Sequence, residues 1–536
     1  MTPGPAHEPA WWHGAVLYQL YVRSWRDADG DGYGDLAGVL AGLDYLEWLG
    51  VDGVWLSPTM PSPGDDWGYD VSDYTGVHPE LGTLEDLDRL VSAARDRGIA
   101  VLLDLVPNHT SSAHPWFVDA SASRDSPHRG YYVWADPAPD GGPPNNWLDF
   151  TGEPAWTFHE ATGQYFLHNF LASQPDLDWW CPEVHAAFGS ILRFWLDRGV
   201  AGFRIDVAHG LYHDDQLRDD PPAEPGDPRA RHGLLSVHSM HRPEVHDVYR
   251  DWRTIARSYV PEALLLGETW ALDPAELSGY FGDDDELQLA FNFEFVLAEL
   301  TAPSLAAAVA ATFAALPDGA CPVWTASNHD LSRAATRWCG GDESKMRLAL
   351  TVMCMLPGTV VLYYGDEIAM EDVDVPPERR RDPMTRAGRG GRFNRDRART
   401  PMQWSDDACG DFAPEGTEPW LPVGDAARRS VAAQRDDPAS TLSLVRELLA
   451  LRRRTLSGGV APYAELEAGP AIWRFRSGPV VVEANMSDAP ELLGPAHGAV
   501  LLSSRPHRRP DEVRGGVRHL EPFEAVVRLA SPHDAG

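Results

Sequence analysis

Cysteine is scarce in this 536-residue chain and badly placed for cross-linking. Cys181, Cys321, Cys339, Cys354 and Cys409 are odd in number, scattered and free of any C-x-x-C spacing. That argues against a disulfide framework and a cysteine zinc site, and leaves the thiols as small core residues. Long apolar runs are missing too: no stretch reaches the roughly 18 residues of a membrane-spanning helix. Met1 to Pro9 has neither a basic start nor an apolar core, so a cytoplasmic location is expected. Positive charge is in deficit. With 45 Lys and Arg against 80 Asp and Glu, the formal charge of -35 disfavours nucleic acid and anionic membrane as partners and leaves neutral substrates open. His13, His114, His232, His238 and His241 lack metal-ligand spacing and read as surface residues. No internal repeat is present.

What the chain does have is regular alternation. Short apolar runs at Val16–Tyr21, Gly53–Leu56, Ala100–Leu105, Gly202–Asp206, Leu264–Gly267, Ala290–Phe295, Pro322–Ala326 and Val360–Tyr363 read as eight strands. Amphipathic stretches at Leu36–Leu49, Leu84–Arg97, Pro182–Arg198, Glu244–Tyr259, Ala302–Leu316 and Lys345–Met355 separate most of them. Eight strand-then-helix units predict an α/β fold, a (β/α)8 TIM barrel. A Pro-, Gly-, Asn- and Trp-rich stretch after strand 3 is too long for a loop and reads as an inserted small domain. A long helix, Thr441–Arg454, then precedes β-patterned runs at Ile472–Phe475, Val480–Asn485, Ala499–Ser503 and Phe523–Leu529, which read as a C-terminal antiparallel β-sandwich. The domain division expected is 1–108 and 176–456 for the barrel, 109–175 for the insert and 457–536 for the sandwich. The acidic loop Asp214–Asp227 reads as solvated surface.

Polar residues collect at the strand ends. Asp104 closes strand 3 and precedes Asn108-His109; Arg204 and Asp206 close strand 4; Glu268 follows strand 5; Asn328, His329 and Asp330 follow strand 7. In a barrel these ends converge on one face, where reacting groups gather. Crowding three carboxylates from three strands is costly for stability, so function explains it better. Retaining glycosyl transfer uses such a set: one carboxylate attacks the anomeric carbon while a second, protonated, donates to the leaving oxygen, the two lying about 5–5.5 Å apart. Arg204, two residues from Asp206, favours its ionised form and marks it as the nucleophile. Glu268 has no cation beside it in sequence, which suits the acid/base. Asp330 is left to bind hydroxyls and stabilise the cationic ring.

Five ordered runs, Asp104-Leu-Val-Pro-Asn-His-Thr-Ser111, Gln174-Pro-Asp-Leu-Asp178, Gly202–Asp206, Gly267-Glu-Thr-Trp270 and Ser327-Asn-His-Asp330, resemble the signature regions of the α-amylase superfamily, glycoside hydrolase family 13. Asp66-Trp-Gly-Tyr69, Gly358–Glu367 and Arg399-Thr-Pro-Met-Gln-Trp404 are similar to its bacterial α-glucosidase and oligo-1,6-glucosidase group. The resemblance implies Asp206, Glu268 and Asp330 as catalytic residues. It implies Asp66, Tyr69, His109, Phe170, Arg204, His329 and either Arg395 or Arg399 around a terminal glucose. It also implies exo action on small maltose-type α-glucosides by a monomer or homodimer, without an organic cofactor. The alternative is a transglucosidase or trehalose synthase using the same glucosyl-enzyme.

The run Asp27-Ala-Asp29-Gly-Asp31-Gly-Tyr33-Gly-Asp35 alternates carboxylates with glycines. It starts like an EF-hand loop but has Gly38 at the twelfth position and no helix pair. In the resembling enzymes such a loop holds a structural Ca2+, and Ca2+ or Mg2+ is expected here. Val207, after the nucleophile, is associated in that group with α-1,6 cleavage, yet Asp178 stands where its usual pattern has Asn; the linkage stays open. His209 fits either a substrate contact or a turn-holding hydrogen bond.

Overall fold

The computed structural model describes residues 10–227, 229–383, 394–493, 498–506 and 519–534. Met1 to Pro9, and the parts of the expected sandwich at 494–497 and 507–518, lie outside them. Eight parallel strands form the central sheet: β1 (Val16–Leu20), β2 (Gly53–Leu56), β3 (Ala100–Leu105), β4 (Gly202–Ile205), β5 (Leu264–Gly267), β6 (Leu289–Ala290), β7 (Val323–Thr325) and β8 (Thr359–Tyr363). Consecutive strands pair from β1 to β6, β7 pairs with β8, and β1 pairs with β8. A backbone bridge between Phe291 and Val323 joins β6 to β7 and closes the barrel.

Period-two alternation explains why the barrel closes and where its chemistry lies. Leu17, Trp55, Leu102, Leu264, Leu266, Leu289, Val323 and Val361 share one buried cluster, the barrel interior. Their neighbours Val16, Tyr18, Val54, Val101, Leu103, Phe203, Ile205 and Leu265 pack outward against the helices. Helix Val245–Arg257 shows the match: it buries Val245, Val248, Tyr249, Trp252, Ile255 and Ala256 at helical spacing. Two steps beyond an inward Leu stands a polar residue: Gln19 after Leu17, Asp104 after Leu102, Glu268 after Leu266. Arg204 and Asp206 continue the same register from Gly202.

Two elements differ from expectation. The stretch Leu36–Leu49 is two helices, Leu36–Ala41 and Leu43–Leu49, because Gly42 caps one and starts the other. The sixth strand stops after Ala290, and Phe293–Leu297 is a short helix; Asn292 accepts from Phe295 N and so starts a helix where apolar content suggests strand.

Within 109–175, helix Pro115–Ala122 precedes an antiparallel sheet of Trp134–Ala135, Gln164–Leu167 and Trp156–His159. His114 corrects its surface reading: it is buried and its ring accepts from Trp116 N at that helix start. The loop after Asp214 is not simply solvated either. Asp214 and Asp220 are buried; Asn146 Nδ2 donates to Asp220 O at 2.8 Å and Trp147 Nε1 to Arg218 O at 2.9 Å, so its first part docks on the insert. At the C-terminus all four expected runs form strands of a five-stranded antiparallel sheet, with Tyr463–Ala468 added at one edge. Glu491–Leu492 and His519–Leu520 pair separately. The larger sheet packs on helix Glu343–Met355, where Arg347 Nε donates to Ser504 O at 2.6 Å. Cys321, Cys339 and Cys354 are buried and all five thiols are free. Among the described residues no helix is long and apolar enough to cross a membrane.

Gly202 allows strand 4 to run beside strand 5. Its φ is +153°, and a Cβ there would lie 2.2 Å from Leu264 O and 2.6 Å from Leu264 N. Gly202→Ala is therefore expected to cost more than about 3 kcal/mol, beyond the usual overpacking range, because backbone rather than a side chain must move. Thermal unfolding would show it; an unchanged Tm would refute it.

Candidate active site

Arg204 is the hub. Its Nη1 donates to Asp104 Oδ1 at 2.8 Å and to Asp206 Oδ1 at 2.7 Å, while Nη2 lies 2.7 Å from Glu268 Oε2. All four side chains are buried at the C-terminal ends of β3, β4 and β5. The expected Arg204–Asp206 pair is present, but Glu268 corrects the sequence argument: it too meets the guanidinium, since side chains far apart in sequence converge across strands. Val207 N also donates to Glu268 Oε2, at 3.1 Å. Arg204 does not hold Asp206 below the ordinary carboxylate range. Burial pushes the Asp206 pKa well up, with Glu268, Asp104 and Asp330 adding to it and Arg204 opposing. Asp104 is likewise raised to about 6, burial outweighing Arg204. Trp55 Nε1 and Tyr69 Oη both donate to Asp104 Oδ2 at 3.0 Å, and Arg204 lies over the Trp55 ring at 4.9 Å.

Asp330 faces this group from the loop after β7, its side chain 29% exposed. Burial alone would raise its pKa, but His329, Arg399 and Arg395 outweigh burial and hold it well below the usual range. Both candidate arginines reach Asp330 Oδ1, Arg399 at 2.8 Å and Arg395 at 3.3 Å. They divide the work. Arg399 is fully buried and donates to His329 O at 2.8 Å, so it props Asp330 from behind. Arg395 is the more exposed of the two, with Nη2 donating to Asp66 Oδ1 at 2.6 Å and to Asp382 Oδ1 at 2.9 Å. Asp382, absent from the sequence candidates, also takes the Arg395 backbone N–H at 2.8 Å.

The remaining predicted binding residues join the same wall. His329 stacks on Tyr69 with ring centroids 5.3 Å apart and planes 3° from parallel; its Nε2 is 2.6 Å from Tyr69 Oη and its Nδ1 2.8 Å from Gln19 Nε2. His109 Nε2 approaches Tyr69 O at 3.0 Å, and Gln174 Nε2 reaches both His109 Nε2 and Asp66 Oδ2. Phe170 is half-buried, 5.2 Å from the His109 ring. Burial lowers the pKa of both histidines, of His329 strongly. Six carboxyl groups, Asp66, Asp104, Asp206, Glu268, Asp330 and Asp382, thus gather at this end of the barrel with three guanidiniums among the described residues. Gln19 and Trp55 carried no motif signal; Gln174 opens a quoted run and could have been chosen from it. His209 takes the turn-holding position: its Nδ1 is 3.4 Å from Glu268 O and from Trp270 N.

In the loop after β1, carboxylate oxygens of Asp27, Asp29 and Asp35 lie within 4.8 Å of one another. Asp31 stands apart from that cluster, exposed and accepting from Tyr33 N at 2.8 Å, and the Tyr33 ring packs on Trp67 and Trp420. Backbone N–H groups already point at the cluster, Gly30 and Gly32 to Asp27 and Ala28 and Gly38 to Asp35.

The sequence from residue 19 to 459 matches the family described as Alpha amylase, catalytic domain. The chain belongs to the α-amylase family. Within it, this α-amylase-family protein is 39% identical over 464 residues to a probable α-glucosidase of Rhizobium meliloti, covering 83% of this chain and 82% of that one. It is 35% identical over 484 residues to an oligo-1,6-glucosidase of Parageobacillus thermoglucosidasius, covering 83% and 84%. Among solved structures, an α-glucosyl transfer enzyme superposes with a TM-score of 0.91 at 36% identity, over 98% of this chain and 100% of that one. The trehalulose synthase of Pseudomonas mesoacidophila gives 0.89 at 29%, over 99% and 100%.

Replacing Arg204 by Met should leave Asp104, Asp206 and Glu268 buried without their shared cation, at a cost of about 3–5 kcal/mol at neutral pH. The sign follows from linkage. Carboxyls whose folded pKa lies above the unfolded value stabilise the fold below about pH 4 and lose that contribution as pH rises through the folded pKa. The Tm deficit of the variant should therefore be larger at pH 8 than at pH 5; a deficit independent of pH would contradict this account.

Proposed function

We propose that this protein is a retaining exo-α-glucosidase that releases glucose from the non-reducing end of short α-glucosides. The observation that carries the reading is that Asp206 and Glu268, from adjacent strands, sit on two nitrogens of one guanidinium, with Asp330 facing them. One guanidinium spans only a short gap, which suits the retaining separation and not the wider one that admits a water. Asp206 attacks the anomeric carbon as Glu268 gives its proton to the leaving oxygen; water, activated by Glu268, then releases glucose with its configuration retained. The surplus of carboxyl groups gives the pocket the negative field that a cationic sugar ring requires, and Asp206 attacks as the carboxylate, held by the Arg204 guanidinium. The Asp66–Arg395–Asp382 network supports a blind end that admits one glucose, with Tyr69, His109, Phe170 and His329 around it.

A second reading, glucosyl transfer to a sugar instead of water, draws on the likeness to the glucosyl transfer enzyme and to trehalulose synthase. On composition and the absence of long apolar stretches, the same proposal takes the protein as a cytoplasmic monomer or homodimer. The oxygen-only donor set of Asp27, Asp29 and Asp35 fits Ca2+, or Mg2+, in a structural role away from the pocket.

Proton NMR of a maltose digest is the direct test: α-glucose appearing first and as the main product supports hydrolysis with retention, whereas β-glucose first, or a disaccharide isomer as main product, sinks that reading. In the same assay Asp206→Asn should lose more than about 10³-fold on maltose and on α-glucosyl fluoride alike. Glu268→Gln should spare glucosylation by the fluoride, whose leaving group needs no proton. Chelation by EDTA should lower Tm by several degrees, restored by Ca2+, without moving the KM of the material that remains folded; a Tm indifferent to chelator counts against the ion.

A further inference from the structure

Arg231 stands outside the network described so far and is not explained by stability. It lies on a hairpin in which Ala230–Arg231 pairs with Leu234–Leu235, in the long segment between β4 and the next helix. The guanidinium carbon is 5.3 Å from the centre of the Phe150 ring, and Nη1 meets the Met240 sulfur at 3.2 Å. Nη2 is buried and has no hydrogen-bond partner among the described residues. Asp149, Asp176 and Asp220 offset part of the burial of this charge, yet an N–H group held out of water without an acceptor is costly, and a fold alone gives no reason to keep one.

Its surroundings say what it faces. Phe150 stacks on Phe170 at 5.9 Å, and Phe170 meets His109 of the glucose pocket at 5.2 Å. Behind it, the Arg231 charge is among the influences lowering the pKa of His209, after burial and His241, and His209 sits against the Glu268 carbonyl. Arg231 is thus one aromatic ring from the pocket and close to the segment that carries Glu268. In the proposed reaction the leaving oxygen lies on the Glu268 side, so the leaving group must emerge between the segments that follow Asp206 and Glu268. A surface cleft of about 630 Å³ lies between those two segments, lined by Glu224, Asp227 and Arg229 from one and Leu272 and Asp273 from the other. Glu224, Asp227, Arg229 and Asp273 give it hydrogen-bonding groups for a hydroxyl-bearing leaving group, while Pro225, Leu272 and Pro274 line the rest.

We propose that Arg231 is the residue that reads the leaving group, turning its guanidinium to donate to an oxygen of a sugar or polyol aglycone as it leaves the pocket toward this cleft. The inference rests on the α-glucosidase reading above. A charged donor bonded to a neutral acceptor is worth enough to change selection between aglycones by roughly tenfold to a hundredfold.

Two substrates separate this role from a structural one. α-Glucosyl fluoride occupies only the glucose pocket, whereas maltose adds a hydroxylated aglycone. Arg231→Met should lower kcat/KM for maltose by about ten- to a hundredfold, chiefly through KM, and leave α-glucosyl fluoride within about twofold of the parent. Arg231→Lys, which keeps a donor but not the fork, should recover part of the maltose loss. Equal losses on both substrates would assign Arg231 to folding, and no loss on either would leave it without a role in the leaving-group site; each overturns the proposal. A parent protein that turns over the fluoride but not maltose overturns it as well, and one that turns over neither overturns the α-glucosidase reading itself.

Discussion

One guanidinium in the mouth of the barrel holds three carboxyl groups that would otherwise repel one another. Arg204 joins the ends of β3, β4 and β5, and what surrounds it serves to keep that arrangement fixed. Trp55 lies under it, Tyr69 and Trp55 occupy the far oxygen of Asp104, and the Tyr69–His329 stack carries the contact across to the loop of Asp330. The assembly is rigid because each member has more than one partner, and a buried charge network is stable only on that condition.

The second constraint is an imbalance of charge. Arg395 and Arg399 both lean on Asp330 and leave the three carboxyls on Arg204 with one cation between them. Burial then raises Asp206 and Asp104 while Asp330 falls, so residues of one type in one pocket end with different proton affinities. His109 and His329 add hydrogen-bonding ring nitrogens to the same wall. The pocket is in this sense unfinished until a positive centre develops within it, which is the state a glycosyl transfer passes through.

Much of this was legible in the sequence because the strand period is two. Gly202, Arg204 and Asp206 share a face whatever the rest of the fold does, and Leu102 with Asp104 and Leu266 with Glu268 obey the same rule. Seven of the eight strands are apolar runs with clear ends. The sixth was not legible, because Phe291, Phe293 and Phe295 look alike to a hydropathy pattern and only the capping side chain of Asn292 turns the chain into a helix. Contacts spanning hundreds of residues were equally hidden: Glu268 on Arg204, Asp382 under Arg395, Gln19 on His329. The loop after Asp214 reads as solvated on its acidity, yet Asp214 and Asp220 are buried and satisfied by Arg218, Ser239 and the backbone amides of Arg218 and His238, which no local pattern announces.

The pairing of β1 with β8 sets an order of events during synthesis. Val16–Leu20 emerges from the ribosome some 340 residues before Thr359–Tyr363, its partner on that side. Until then one edge of β1 presents bare backbone, and the inward leucines of the early strands face no opposite wall. The last residues of the sugar site arrive in the same late stretch, Asp330 and His329 just before β8 and Arg395 and Arg399 after it. A nascent chain of this protein is therefore long, acidic and open-edged for most of its translation, and its strong negative charge is the property that keeps such an intermediate from pairing with its neighbours.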